Sequence, residues 1–294
     1  MTQHGPGGGS YTIGGKPLAA GLYLVATPIG AARDITLRAL DILATADVLA
    51  AEDTRTLRHL MEIHGIGLGD RPLVPCHDHN EAAASPRLLR AIEEGKSVAY
   101  ASEAGTPMVS DPGFPLARAA IAAGLPVIAA PGPSAALCAL TVSGLPSDRF
   151  LFAGFAPAAA GARRTFLEGL KSMQATVIFY ESPKRINQML EELSQNWGAM
   201  RQAALCRELT KRFEEVTRGT LGELVEAYAG RDVKGEIVLL VDRAAERVAD
   251  TADWEAALEA ALERMTVKDA AAMVAEAYDL PRREVYQVAL KRGK

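Results

Sequence analysis

Residues 21–30 read GLYLVATPIG, an apolar run that passes straight into a turn of Thr, Pro and Gly. A strand buried on both faces of a parallel sheet shows as such a run, and an open α/β sheet receives its ligand beyond the strand's carboxyl end. The pattern recurs where 98–101 enters SEAGTP (102–107) and where 127–130 enters PGPSA (131–135). One such turn is an ordinary strand-to-helix connection; three at successive strand ends predict a shared ligand site. Gly30, Gly105, Gly113 and Gly132 are expected to matter there as backbone, by close approach or positive φ.

Outward from that stretch, apolar runs at 22–26, 48–51, 73–76, 98–101 and 127–130 alternate with helical stretches, which predicts an α/β fold with a parallel sheet in the N-terminal domain. Ile35, Leu37, Leu40, Ile42 and Leu43 recur at near-helical spacing, with Asp34 placed to cap and Thr36 close by. GLPSDRF (144–150) breaks the alternation and reads as a linker. Further runs lie at 150–155, 176–180, 203–206, 214–218 and 236–241, and the short LTKRFE between two of them predicts a hairpin, hence a mixed sheet in the second domain. After Asp242 the pattern turns helical. Residues 254–265 form one expected helix, followed by helix, turn, helix: Thr266 caps, Ala270, Val274 and Ala277 share a face, Asp279 and Pro281 mark the turn, and Val285, Val288 and Ala289 continue the second face. The expected division is a flexible Gly-rich tail (1–20), an N-terminal α/β domain (21–146), a second α/β domain (147–243) and a small C-terminal helical domain (244–294).

With 294 residues, 49% hydrophobic and 23% charged, the chain can build real cores and is not a disordered one. Cys76, Cys138 and Cys206 are odd in number and far apart, so a disulfide framework is not expected and a reducing cytoplasm fits. No run reaches the roughly 20 apolar residues that span a bilayer, so no membrane contact is expected. A net charge of −4 leaves nucleic-acid binding to a local basic surface, such as 281–294, where Arg282, Arg283, Lys291, Arg292 and Lys294 oppose only Glu284.

Several familiar sites are disfavoured. No GxGxxG follows the first run, and SYTIGGKP carries Ser10 and Pro17 where a P-loop needs Gly and Ser or Thr. Cys76, His77, Asp78 and His79 are ligand types, but neighbours on an extended chain point to opposite sides and no second pair is evident, so no metal is expected. His77, Asp78 and Asn80 read instead as lining of the crevice. In EDTR, Glu52 or Asp53 suits proton transfer and Arg55 phosphate binding, while Asp53 equally suits a helix cap. In RELTKRFEE, Arg207, Lys211 and Arg212 stand beside Glu208 and Glu214, either as a solvated surface or as cations for a phosphate-rich partner.

The succession GLYLVATPIG, EDTR, HDHNE, SEAGTPMVSDPGFPL, PGPSA, GLPSDRF, FYESPKRI, RELTKRFEE and KGEIVLLV resembles the tetrapyrrole methylase superfamily of S-adenosylmethionine (SAM) enzymes, in its branch of ribosomal RNA 2′-O-methyltransferases acting on a cytidine of small-subunit rRNA. The resemblance runs from about Gly21 to Val241, and the last helices look like that branch's small C-terminal domain. It implies a two-domain tetrapyrrole methylase-like fold, a homodimer, SAM held between the domains and no metal. Motif by motif, it implies a SAM site of Pro28, Glu103, Gly105, Thr106, Ser134 and Ala135, closed from the second domain by Phe155, Tyr180, Glu181 and Gly235 within KGE. Glu52, Asp53, His77 and Asp78 are the expected catalytic groups, and Arg33, Arg55, Arg207, Lys211 and Arg212 the expected RNA contacts. Two departures stand out: Glu103 where the family more often has Asp, and Ala31–Ala32 where it has Asn-Leu. The alternatives are a tetrapyrrole C-methyltransferase, against which RELTK, HDHNE and the terminal helices argue, and a noncatalytic RNA-binding factor that retains SAM.

Overall fold

The computed structural model describes residues 12–245, 251–278 and 280–292. The first sheet is built from β1 (Gly21–Val25), β2 (Val48–Ala51), β3 (Leu73–Pro75), β4 (Ser97–Ala101) and β5 (Val127–Ala130), all parallel, in the order β3-β2-β4-β1-β5. Between them run α1 (Leu37–Thr45), α2 (Thr54–Ile63), α3 (Glu81–Glu93) and α4 (Phe114–Ala122), with α5 (Ala135–Ser143) after β5. Side chains alternate along β1, so Tyr23 and Val25 join Leu40, Leu43, Leu57 and Met61 on one face, while Leu22 and Leu24 meet Leu88, Ile92 and Leu116 on the other. Adjacent strands β1 and β4 thus send their following helices, α1 and α4, to opposite faces. That divergence opens a crevice at the strands' carboxyl ends.

The second sheet, β6 (Phe150–Phe155), β7 (Thr176–Glu181), β8 (Gln202–Arg207), β9 (Glu215–Thr220) and β10 (Ile237–Val241), has the order β6-β7-β10-β8-β9. Only β6 and β7 run parallel, and β8–β9 is the expected hairpin, with Cys206 opposite Val216. Helices α6 (Ala160–Leu170), α7 (Ile186–Trp197) and α8 (Leu221–Tyr228) bury Leu167, Leu190, Leu193 and Leu224 against one face. The other face is covered from the first half of the chain: Ala136, Ala139 and Leu140 of α5 pack on Ile178, Ala204, Cys206 and Leu240. Since α5 seats on the second sheet, both sheets fall in one compact unit, and the chain divides between Ala244 and Ala245. The change of sheet near residue 147 lies inside that unit.

Local details refine the expectations. Thr36, not Asp34, caps α1, its side chain accepting from the Ala39 N–H, because Thr36 is the extended residue immediately before the helix. Residues 1–11 of the expected tail lie outside the described residues, whereas Ile13 and Leu18 pack against the α1–α2 face. The second unit holds α9 (Thr251–Leu262), α10 (Val267–Ala277) and α11 (Arg282–Arg292) around Trp254, Leu258, Ala270, Val274, Val285 and Ala289. Thr266 caps α10, accepting from Asp269 N–H. Ala277 is exposed, and Ala271 and Ala275 take the buried positions beside Ala270 and Val274. Asp279 falls outside the described residues. Among the described residues no helix is long and apolar enough to cross a membrane.

Candidate functional site

The three turns after β1, β4 and β5 are cross-linked at one end of the first sheet. Thr27 and Gly105 exchange both backbone hydrogen bonds, at 2.9 and 3.0 Å. The Thr27 hydroxyl donates to Ser102 O (3.2 Å) and the Ser102 hydroxyl to Gly105 O (2.6 Å). Thr106 Oγ1 donates to Pro133 O at 2.9 Å, which joins the second turn to the third. Gly105 and Gly113 take left-handed φ angles of 85° and 111°. Pro28, Thr106, Ser134 and Ala135 are half-buried along these turns and Glu103 is exposed.

Carboxylates converge on the same crevice. Glu52, at the end of β2, has a buried Oε2 with no hydrogen-bond partner, and burial together with Glu103 raises its pKa. Asp53 differs. It caps α2, accepting from the Arg55 N–H at 2.7 Å, and grips the Arg55 guanidinium at 2.6 Å; these bonds hold its carboxyl down at about 2. At the end of β3, the His77 N–H donates to Asn80 Oδ1 (2.8 Å), the His77 and His79 rings meet edge-on at 6.1 Å, and Asp78 is exposed. Cys76, by contrast, is fully buried and its thiol is pushed up to about 12 by that burial.

Sequence reasoning missed Asp111. It lies in the SDPG turn, which the sequence marks by Gly113 and as part of the family motif; Asp between Ser and Pro-Gly reads as turn chemistry. In the structure it faces both sheets: burial first, then Glu52, Glu103 and Asp78 from the first sheet and Glu236 from the second, push its carboxyl up to about 7. Met108 and Ser110, just before it, hold left-handed φ angles of 69° and 62°, a costly backbone for non-glycine residues. The fully buried Tyr100, whose hydroxyl has no partner, lies beneath, with electrostatic reach to both Glu52 and Asp111.

The second sheet supplies the aromatic wall. Tyr180 stands between Phe152 and Phe155, at ring distances of 4.8 and 5.7 Å, and its hydroxyl accepts from the Ala136 N–H (3.2 Å) at the start of α5. Phe155 is 54% exposed, an uncovered ring beside Tyr180. Glu181 is only 3% exposed: its Oε1 accepts from the Ser182 N–H and from Arg185, while Oε2 carries no hydrogen bond. Gly235 lies in the turn before β10, packed on Glu208.

The expected RNA cations separate into two groups. Arg207 pairs with Glu215 at 2.9 Å and donates to Lys234 O, and Lys211 pairs with Glu208 (3.1 Å) and Glu236 (2.8 Å), so both are engaged inside the protein. Arg33 and Arg212 are exposed, the Arg212 guanidinium 5.4 Å from the Phe213 ring centre. Arg55 is also exposed, though tied to Asp53.

Residues 21–225 match the family described as Tetrapyrrole (Corrin/Porphyrin) Methylases. The chain belongs to the tetrapyrrole methylase family. This methylase also matches the domain described as RsmI C-terminal HTH domain over residues 248–293. Ribosomal RNA small subunit methyltransferase I of Mesorhizobium japonicum is 49% identical over 91% of the chain and 90% of the relative, and the protein of that name from Escherichia coli O157:H7 is 40% identical over 92% and 95%. Among solved structures, uroporphyrin-III C-methyl transferase from Thermus thermophilus complexed with S-adenyl homocysteine superposes with a TM-score of 0.53 at 20% identity, covering 75% of this chain and 96% of that one. Diphthine synthase gives 0.58 at 17%, over 75% and 89%. At such identity these two establish the tetrapyrrole methylase fold alone. The Ala31 N–H donates to Thr210 Oγ1, Ala32 O meets His64 Nε2 at 2.8 Å, and Glu103 adds to the carboxylates around Asp111.

Proposed function

We propose that this protein is a SAM-dependent methyltransferase that transfers a methyl group to the ribose 2′-hydroxyl of a cytidine in small-subunit (16S) ribosomal RNA. The observation that carries the reading is the acid-lined crevice at the strand ends, closed by Phe155 and Tyr180 and centred on Asp111, in a chain whose curated relatives are ribosomal RNA small subunit methyltransferases. The site fits SAM: the unpartnered Glu52 Oε2 and the neighbouring carboxylates suit a cationic donor, and the exposed Phe155 ring offers an apolar face. Pro28, Glu103, Gly105, Thr106, Ser134, Ala135, Phe155, Tyr180 and Gly235 are the groups that would hold it, with Glu181 anchoring Arg185 behind them. When bound, SAM supplies an electrophilic methyl carbon on a sulfonium.

The protein's part is alignment and removal of one proton. Asp111 is the proton acceptor, because a carboxyl near 7 is ionised often enough to act at neutral pH yet basic enough to take the 2′-hydroxyl proton. Asp53, held at about 2 by Arg55, is a far weaker base and serves as cap and rim ion pair. Glu52 sustains the raised pKa of Asp111, while His77 and Asp78 line the acceptor side. Because the crevice is acidic, RNA phosphates must be met at its rim by exposed cations, Arg33 and Arg212 foremost; in the separate helical unit, Arg282, Arg283 and Lys291 of α11 are exposed. The chain works as a cytoplasmic homodimer on the assembled subunit.

The test incubates the protein with methyl-labelled SAM and small subunits from a strain lacking the modification, followed by digestion and mass spectrometry. Labelled 2′-O-methylcytidine supports the reading; label on a base or on a tetrapyrrole removes it. Free rRNA is expected to be the poorer substrate, since folded RNA is recognised through shape and phosphate placement.

A further inference from the structure

Loop 207–211 makes its closest contacts with two turns that belong to opposite walls of the crevice. On the first wall, Thr210 Oγ1 accepts from the Ala31 N–H at 3.1 Å, immediately after TPIG. Gly30 carries no Cβ, and one placed there would stand 2.6 Å from both Thr210 Oγ1 and Lys211 Cγ, so the loop's side chains lie directly against the backbone of the turn. On the second wall, Glu208 N–H donates to Glu236 O (3.0 Å), Glu208 Oε1 accepts from the Glu236 N–H (2.9 Å), and a Cβ on Gly235 would fall 2.5 Å from the Glu208 side chain. Lys211 bridges Glu208 and Glu236, and Leu209 is buried in the same apolar cluster as Ile29. Glu208 and Thr210 hold left-handed φ angles of 52° and 63°, costly for an ordinary side chain and most of all for a β-branched one. Such backbone persists only where surrounding contacts over-determine it.

We propose that residues 208–211 form a strap that ties the TPIG turn to the KGE turn and so sets the width of the donor crevice, with Thr210 and Glu208 as positioning residues that touch neither donor nor RNA. The inference rests on reading the crevice as the SAM site. It gives the RELTK segment a task other than RNA contact: its polar side chains are spent on the protein's own backbone and carboxylates, and the exposed tip at Arg212 and Phe213 is what remains for a partner.

The deciding comparison is Thr210→Val, which keeps volume and branching but removes the acceptor, against Thr210→Ser, which keeps it. Calorimetric titration with SAM should show binding weakened about tenfold in Thr210→Val and wild-type binding in Thr210→Ser, with KM for small subunits the same in both. Amide exchange at Ala31 and Glu236, read without any ligand, should accelerate in Thr210→Val and in Glu208→Ala. Unchanged exchange at both amides overturns the strap, as does a raised KM for subunits with unaltered SAM affinity, which would return the loop to RNA contact. Should the wild-type chain bind no SAM, the donor-site reading falls, and exchange at Ala31 and Glu236 still decides the strap.

Discussion

At the scale of single residues, the proposed chemistry turns on which carboxylate is free to take a proton. Asp53 and Asp111 are both aspartates in turns beside the crevice, yet one is held at about 2 by Arg55 and the other lifted to about 7, first by burial and then by like charges. Asp111→Asn is expected to abolish most turnover while leaving SAM affinity within about threefold, and the residual pH–rate profile should lose its rise toward pH 7. Its effect on folding has a definite sign. The native carboxyl keeps its proton between about pH 4 and 7 where the unfolded one, with an ordinary pKa of 3.8, has lost it. The native state therefore binds more protons in that window, and wild-type stability falls as pH rises through it. Asp111→Asn removes this loss, so its melting temperature relative to wild type should increase from pH 4 to pH 8. A relative melting temperature that is flat with pH would remove the raised carboxyl. Asp53→Ala should instead lower the melting temperature through the lost cap, with turnover reduced less than tenfold; a loss as deep as that of Asp111→Asn would return Asp53 to the chemistry.

At the scale of elements, what decides the site is where segments are seated. The strands of the described residues were legible in order, most from apolar runs because a buried strand needs continuous apolar sequence whatever packs against it, and the polar β9 from the short LTKRFE that precedes it. The seating of α5 was not. AALCALTVS is apolar on most sides, so periodicity assigns no face, and only the structure places Ala136, Ala139 and Leu140 on the second sheet. Loop 208–211 is a like case: its charges read as surface, whereas Lys211 pairs with Glu236 and the Thr210 hydroxyl accepts from Ala31, both outside the loop's own stretch of sequence. Leu209, 6% exposed at that junction, should cost about 3 kcal/mol on replacement by Ala, measured by denaturant unfolding. Because the cavity opens between α5, Ile29 and the hairpin, SAM affinity should fall with it, whereas an equally destabilising Leu193→Ala in the cluster behind the second sheet should leave affinity unchanged.

At the scale of the whole molecule, the chain divides into two compact units between Ala244 and Ala245, and α9 to α11 bury their own cluster around Leu258 and Val274. A chain ending at Ala244 should therefore fold, bind SAM with unaltered affinity and lose most of its activity on small subunits through a raised KM. Unaltered KM would take the helical unit out of substrate recognition. Arg292 is spent on Glu255 and Glu259, which leaves Arg282, Arg283 and Lys291 as the exposed cations of α11 to be tested singly. By itself the sequence determined the strands, the hairpin, the helical end, the three glycine-bearing turns and, through its motifs, the family, since each depends on residues close in the chain. Only the tertiary structure decided that burial and neighbouring carboxylates act on Asp111, that Lys211 and Arg207 are internally paired and that 208–211 touches both the TPIG and the KGE turns. A raised pKa and a contact between two turns depend on distances between residues remote in sequence, Asp111 with Glu52 and Glu236, and Thr210 with Ala31, which only the folded chain brings together.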